Sequence, residues 1–198
     1  MNKLILLSIC ILSMSCGKLP KSFKDGDIIF QTSKSSQSEM LKIVTKSNLT
    51  HCGIIFYENG KPFVYEAVQP VKVTPLQEWI DRGEESKYVV TRLKYELSES
   101  AKIDMLDYAK KQLGKNYDLK FQWSDNKMYC SELVWKIYKS AGFTLSNPKK
   151  FSNYDLSSKT AKQAIKQRYN GNLNVNESVV SPLDLYESNI AEVIYSNY

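Results

Sequence analysis

The sequence predicts an α+β domain, and three observations predict it. Short apolar runs broken by turn residues crowd the first half, helical periodicity fills the middle, and an apolar run returns near the C-terminal end. At 198 residues, with 42% hydrophobic and 12% aromatic content and no repeat or low-complexity tract, the chain can bury one core. Tyr supplies 13 of the aromatics, a residue suited to clefts that are part apolar and part polar.

The first segment precedes the domain. Asn2-Lys3 is a short basic lead, residues 4–12 are almost unbrokenly apolar, and Ser13-Met14-Ser15 supplies small residues up to Cys16. Such a run is short for a membrane span and right for the core of a signal peptide. A cysteine straight after a small residue at the end of that core resembles a bacterial lipobox, with Ser13 where Leu or Val is commoner. The expected organisation is a signal peptide over residues 1–15, a lipidated Cys16 with its tether to residue 25, and a folded domain over 26–198. The protein is then exported to the bacterial cell envelope and held at the membrane through Cys16.

Within the domain, Gly26-Asp27-Ile28-Ile29-Phe30 reads as a strand entered from a tight turn, and Met40, Leu41, Ile43 and Val44 mark a weak amphipathic helix over 36–46. Residues 52–57 and 62–68 flank Asn59-Gly60, the strongest short-range hairpin signal, because a type I′ turn needs φ > 0 at both central positions. Strands follow over 71–74 and 88–93, separated by a short helix over 75–82. Ser98 caps a helix in which Ala101, Met105 and Ala109 form one row, Ile103, Leu106 and Leu113 fill in beside it, and Gly114 ends it. After a loop over 115–129 a second helix runs from Cys130 to Ala141, with Leu133, Val134, Ile137 and Tyr138 as its apolar stripe. A helix near 156–168 and a strand near 190–195 complete the chain.

The net charge of +6 is spread over single and paired Lys residues with acids between them, which argues against a nucleic-acid partner. One His and two Cys on separate elements fit no common zinc spacing, and neither a phosphate-cradling glycine loop nor a dinucleotide fingerprint is present. No metal or cofactor is therefore expected.

The candidate chemistry lies in the only histidine and in one cysteine. The two-residue turn sets Glu58 opposite Lys61, hence Ile55 opposite Val64, Gly53 opposite Glu66 and His51 opposite Val68. His51 and Glu66 then share a face as diagonal neighbours, roughly 7–8 Å apart between backbones. A carboxylate that orients an imidazole is the third member of a catalytic triad. Cys130 opens a helix, where the macrodipole favours a thiolate and the leading N–H groups can receive an oxyanion. Cys52 alternates to the other face with Ile54 and Phe56, a small core residue turned away from the site.

Five stretches in order carry a resemblance: residues 26–30, Thr50-His51-Cys52-Gly53-Ile54-Ile55, Tyr65-Glu66-Ala67, Leu113-Gly114-Lys115-Asn116-Tyr117-Asp118, and Tyr129-Cys130-Ser131-Glu132-Leu133-Val134. Together they resemble the circularly permuted branch of the NlpC-like, papain-fold cysteine hydrolases, the YaeF/YiiX type. The resemblance implies a cysteine helix packed on a small antiparallel sheet or partial barrel, Cys130 as nucleophile, His51 as base and Glu66 as its orienting group. It further implies a place near the substrate for Tyr117 and Asp118, with Tyr129 shaping the oxyanion site. The implied reaction is hydrolysis of an amide through a Cys130 thioester. The substrate is a peptide, a peptidoglycan stem peptide or an acyl amide; acyl transfer on the same fold and a non-catalytic envelope binding module are the alternatives.

Overall fold

The computed structural model describes residues 23–35 and 37–198, so the leader, Cys16 and most of the tether lie outside the described residues. Strand β1 (Ile28–Ser33) begins two residues later than expected, because Gly26 is itself the turn. Its φ is +90°, and a Cβ there would stand 2.5 Å from Leu97 Cδ1. Helix α1 (Ser38–Thr45) leads to β2 (His51–Glu58), and Asn59-Gly60, both at positive φ, turns the chain into β3 (Lys61–Glu66). Glu58 pairs with Lys61 and Ile55 with Val64, the register the turn predicts.

Next come β4 (Lys72–Pro75), α2 (Leu76–Arg82) and β5 (Gly83–Leu93), the last starting directly after the helix rather than at residue 88. Ser98 caps α3 (Glu99–Gln112), its hydroxyl accepting from Ala101 N at 3.2 Å. The predicted apolar face of this helix is only half right. Met105 and Ala109 are buried, while Ile103 and Leu113 are exposed and Gln112 is buried in their stead, bonding Tyr108 O at 3.0 Å. The short strands β6 (Asn116–Tyr117) and β7 (Lys127–Met128) pair in parallel and bracket the loop before α4 (Cys130–Ser140). The late segment contains β8 (Lys149–Lys150), α5 (Lys159–Tyr169), β9 (Ser178–Val179), α6 (Pro182–Tyr186) and β10 (Ala191–Ser196).

Six strands form one antiparallel sheet in the order β10-β5-β1-β2-β3-β4. Alternation gives it two apolar faces. Ile28, Phe30, Cys52, Ile54 and Phe56 meet Leu133, Val134, Ile137 and Tyr138 of α4, with Met105 and Ala109 of α3 in the same core. Ile29, Ile55, Val64 and Val90 meet Leu76, Trp79 and Ile80 of α2. The Tyr138 hydroxyl donates to Gly26 O, fixing α4 against the entry to β1. Buried Asp27 takes a forked Arg92 guanidinium at 2.7 Å on each oxygen. Among the described residues no helix is long and apolar enough to cross a membrane.

Candidate active site

His51 opens β2 and is 8% exposed, and its Nε2 lies 2.7 Å from Glu66 Oε2. Gly53 makes that approach possible. A Cβ at this position would collide with Val64 Cγ1 and stand 2.9 Å from Tyr65 O and 3.4 Å from Glu66 Cβ. Glu66 is fully buried and receives three further side chains. Thr74 Oγ1 donates to it at 2.6 Å, Trp79 Nε1 at 3.0 Å, and Arg82 Nη2 at 2.6 Å. Burial opposes the carboxylate, but the bonds and charges of His51 and Arg82 outweigh it and hold the Glu66 pKa down at about 2. The Trp79 ring also stacks on the imidazole, with centroids 5.8 Å apart and planes 24° apart.

Cys130 is the first residue of α4 and 2% exposed. The N-terminal end of α4 meets the start of β2, so the thiol lies within electrostatic reach of both His51 and Cys52 although these two alternate across the strand. With Nε2 committed to Glu66, Nδ1 is the nitrogen left for Cys130. The Cys52 side chain hydrogen-bonds the Cys130 sulfur, burial works the other way, and the bond and charge of His51 add to the first effect. The Cys130 pKa falls well below the usual thiol range. Burial disfavours the imidazolium, yet Cys130 and Glu66 together raise the His51 pKa to about 9. At neutral pH the arrangement therefore favours a thiolate–imidazolium pair.

The position of Cys52 corrects the sequence reading. It is a core residue on the Ile54 face, but that face carries α4, so it adjoins Cys130 instead of turning away. Both thiols are free. Burial and the neighbouring Cys130 raise the Tyr117 pKa well above the usual phenol range, while the Tyr117 backbone N donates to Gln69 Oε1 at 2.7 Å. Asp118 is buried, its two oxygens accepting from Lys120 N and Gln122 N at 2.8 Å each, so its carboxylate shapes the loop before α4. Tyr129 is buried against Phe121, and its hydroxyl accepts from Val180 N at 3.2 Å.

The family described as permuted papain-like amidases of the YaeF/YiiX, C92 type matches residues 22–195. The chain belongs to this family. It is 42% identical over 188 residues to the Escherichia coli K12 protein YiiX, covering 94% of this chain and 92% of that one. It is also similar to the crystal structure of YiiX from Escherichia coli O157:H7, described as a metalloprotein, with 41% identity and a TM-score of 0.86 over 88% of this chain and 98% of that one.

In this permuted papain-like chain the histidine strand precedes the cysteine helix, and the sheet brings them together at one end of β2. Sequence reasoning missed Thr74, Trp79 and Arg82. Thr74 lies diagonally from Glu66 once Glu66 is known to pair with Lys72, and Trp79 and Arg82 stand one helical turn apart on α2. The β3–β4 register was the missing information. Two recesses adjoin the catalytic residues. One reaches Cys130 and is walled by Met40, Val44, Phe121, Ile165, Leu173 and Val179, with almost no polar surface. The other lies on the His51 side and is mixed in character, lined by Gln31, Thr50, Gln69, Arg82 and Tyr117.

Proposed function

We propose that this permuted papain-like protein is a cysteine hydrolase for amides or esters whose acyl half is apolar. The carrying observation is the apolar recess that opens on Cys130, walled by α1, α5 and the segment around β9. In cysteine hydrolysis the histidine returns its proton to the leaving group, so that group sits on the histidine side and the acyl group on the other. The mixed recess beside His51 suits a polar leaving group, and the apolar one suits an acyl chain.

The chemistry follows from the resting ion pair. The Cys130 thiolate attacks the carbonyl carbon, and the oxygen takes up negative charge. The Cys130 N–H, at the head of α4 with no intrahelical partner, and the Tyr117 phenol are the donors at hand. His51 then protonates the departing amine or alcohol, leaving a thioester. Water, deprotonated by His51, attacks that thioester and releases the acid. Glu66 keeps His51 in the orientation that leaves Nδ1 facing sulfur.

A peptidoglycan stem peptide, also expected from the sequence, calls for polar and charged lining on the acyl side, which the recess does not offer. The metal of the crystallised relative has no counterpart in this donor set. Both Glu66 oxygens and His51 Nε2 are engaged, and no group of three or more His, Cys, Asp or Glu among the described residues is placed to hold an ion. We place the activity at the cell envelope on the apolar run over 4–12 and on Cys16. Loss of membrane partitioning in Cys16→Ser is the expected outcome, and unchanged partitioning removes the anchor.

The substrate reading is tested with one chromogenic leaving group on acyl chains from acetyl to dodecanoyl, beside stem-peptide analogues. The expected result is a kcat/KM that climbs with chain length and vanishes in Cys130→Ala. A preference for the peptides, or indifference to chain length, overturns it.

A further inference from the structure

The reaction uses Cys130, His51, Glu66 and Tyr117, while Cys52 helps favour the Cys130 thiolate but forms and breaks no bond in it. Cys52 is fully buried on β2, immediately after the catalytic histidine, and packs in the same core as Cys130. A small aliphatic side chain would fill that space equally well. What distinguishes the position is proximity: Cys52 and Cys130 lie in one buried core where α4 meets β2, each thiol perturbs the other, and both are free. A nucleophilic sulfur with a second thiol beside it is the arrangement of a two-cysteine oxidation site.

We propose that Cys52 is the resolving thiol of a reversible oxidation of Cys130, converting the active site into an inert Cys52–Cys130 disulfide under peroxide. The inference rests on Cys130 being the reactive thiolate, and not on which substrate it serves. In the first step the Cys130 thiolate attacks one oxygen of hydrogen peroxide. A sulfur–oxygen bond forms and the oxygen–oxygen bond breaks, so the sulfur is oxidised by two electrons to a sulfenic acid. The departing hydroxide takes a proton from the His51 imidazolium and leaves as water. In the second step the Cys52 sulfur attacks the Cys130 sulfur. The sulfur–sulfur bond forms, the sulfur–oxygen bond breaks, and the hydroxide leaves as water with the Cys52 proton. A dithiol reductant restores both thiols by exchange.

Access sets the order of events. Cys52 exposes no surface, whereas Cys130 borders an open recess, so peroxide meets Cys130 first. Burial also raises the Cys52 pKa, keeping it a thiol until a sulfenic acid stands beside it. The disulfide removes the nucleophile before further peroxide can carry it to the irreversible sulfinic acid.

The test combines peroxide treatment of the purified protein, non-reducing peptide mass spectrometry and iodoacetamide labelling. The expected result is a linked Cys52–Cys130 peptide pair two hydrogens lighter than the free thiols, loss of Cys130 labelling, and recovery of both with dithiothreitol. In Cys52→Ala the same peroxide should drive Cys130 to sulfinic acid, and labelling should not return. Cys52→Ser, with a melting curve for each variant, guards against a packing defect at this core site. A wild-type protein whose Cys130 passes directly to sulfinic acid, or a Cys52→Ala protein that recovers as fully as wild type, overturns the proposal. Slow labelling of untreated Cys130, no faster than a free thiol, instead strikes at the nucleophile itself and thus at the hydrolase reading.

Discussion

Glu66 holds four side chains at once, and through His51 it controls a proton that catalysis needs. Replacing it by Gln keeps the shape and removes the charge that helps raise the imidazolium pKa to about 9. Glu66→Gln should move the alkaline limb of the kcat/KM profile to lower pH and cost about 10- to 100-fold in kcat/KM, or about 1.4–2.7 kcal/mol. A pH–rate profile with an unmoved alkaline limb contradicts the assignment of that limb to His51. The acid side has the opposite sign. Because the folded Glu66 pKa lies below its ordinary 4.5, its contribution to stability is full above that value and lost as pH falls from there through about 2. His51, raised from 6.5, contributes fully below that value and loses its contribution as pH rises through about 9. Melting temperatures across pH should decline on both flanks, and Glu66→Gln should flatten the acid one.

The hairpin is the element that the sequence specifies most fully. Asn59-Gly60 sets the turn, the turn sets the register, and the register puts Glu66 and His51 on one face with Gly53 between them. Gly53→Ala should therefore force β2 from β3, cost roughly 1–3 kcal/mol of stability and reduce activity further than the lost stability explains. A thermal melt and a kcat measured well below the melting temperature separate the two effects. The elements around the apolar recess were far less legible. Met40 and Val44 read as one weak helix and Ile165 as another, and nothing in either sequence says that they face each other across Cys130. Wall residues on α5 can now be chosen directly. Ile165→Trp should shorten the accepted chain, lowering kcat/KM for dodecanoyl by about 10- to 100-fold at about 0.8 kcal/mol per excluded methylene, while sparing acetyl. Equal losses on both chains would mean that α5 does not line the acyl site.

At the scale of the molecule, a six-stranded sheet covered on both faces explains what alternation alone misjudged. Along β2, His51 and Cys52 do point to opposite faces, which led the sequence reading to turn Cys52 away from Cys130. Alternation says which residues share a face, but not which face receives α4, and the end of a strand can serve both. The same gap hid the support of Glu66. Thr74, Trp79 and Arg82 lie close in sequence to Glu66, yet their convergence depends on the path of residues 67–71, where no tight-turn signal fixes the register. Predicted elements were mostly found within a few residues, because local periodicity and caps determine them. Contacts that join the two halves of the chain required the assembled sheet.

The most direct test of the central claim is to trap the acyl-enzyme. Mixing the protein with an activated dodecanoyl ester and quenching in acid should give one added acyl group by intact mass. Peptide mapping should place that group on Cys130, with the acetyl analogue reacting more slowly and Cys130→Ala remaining unmodified. An acyl group found on another residue, or none while Cys130 stays free and alkylatable, would contradict the account.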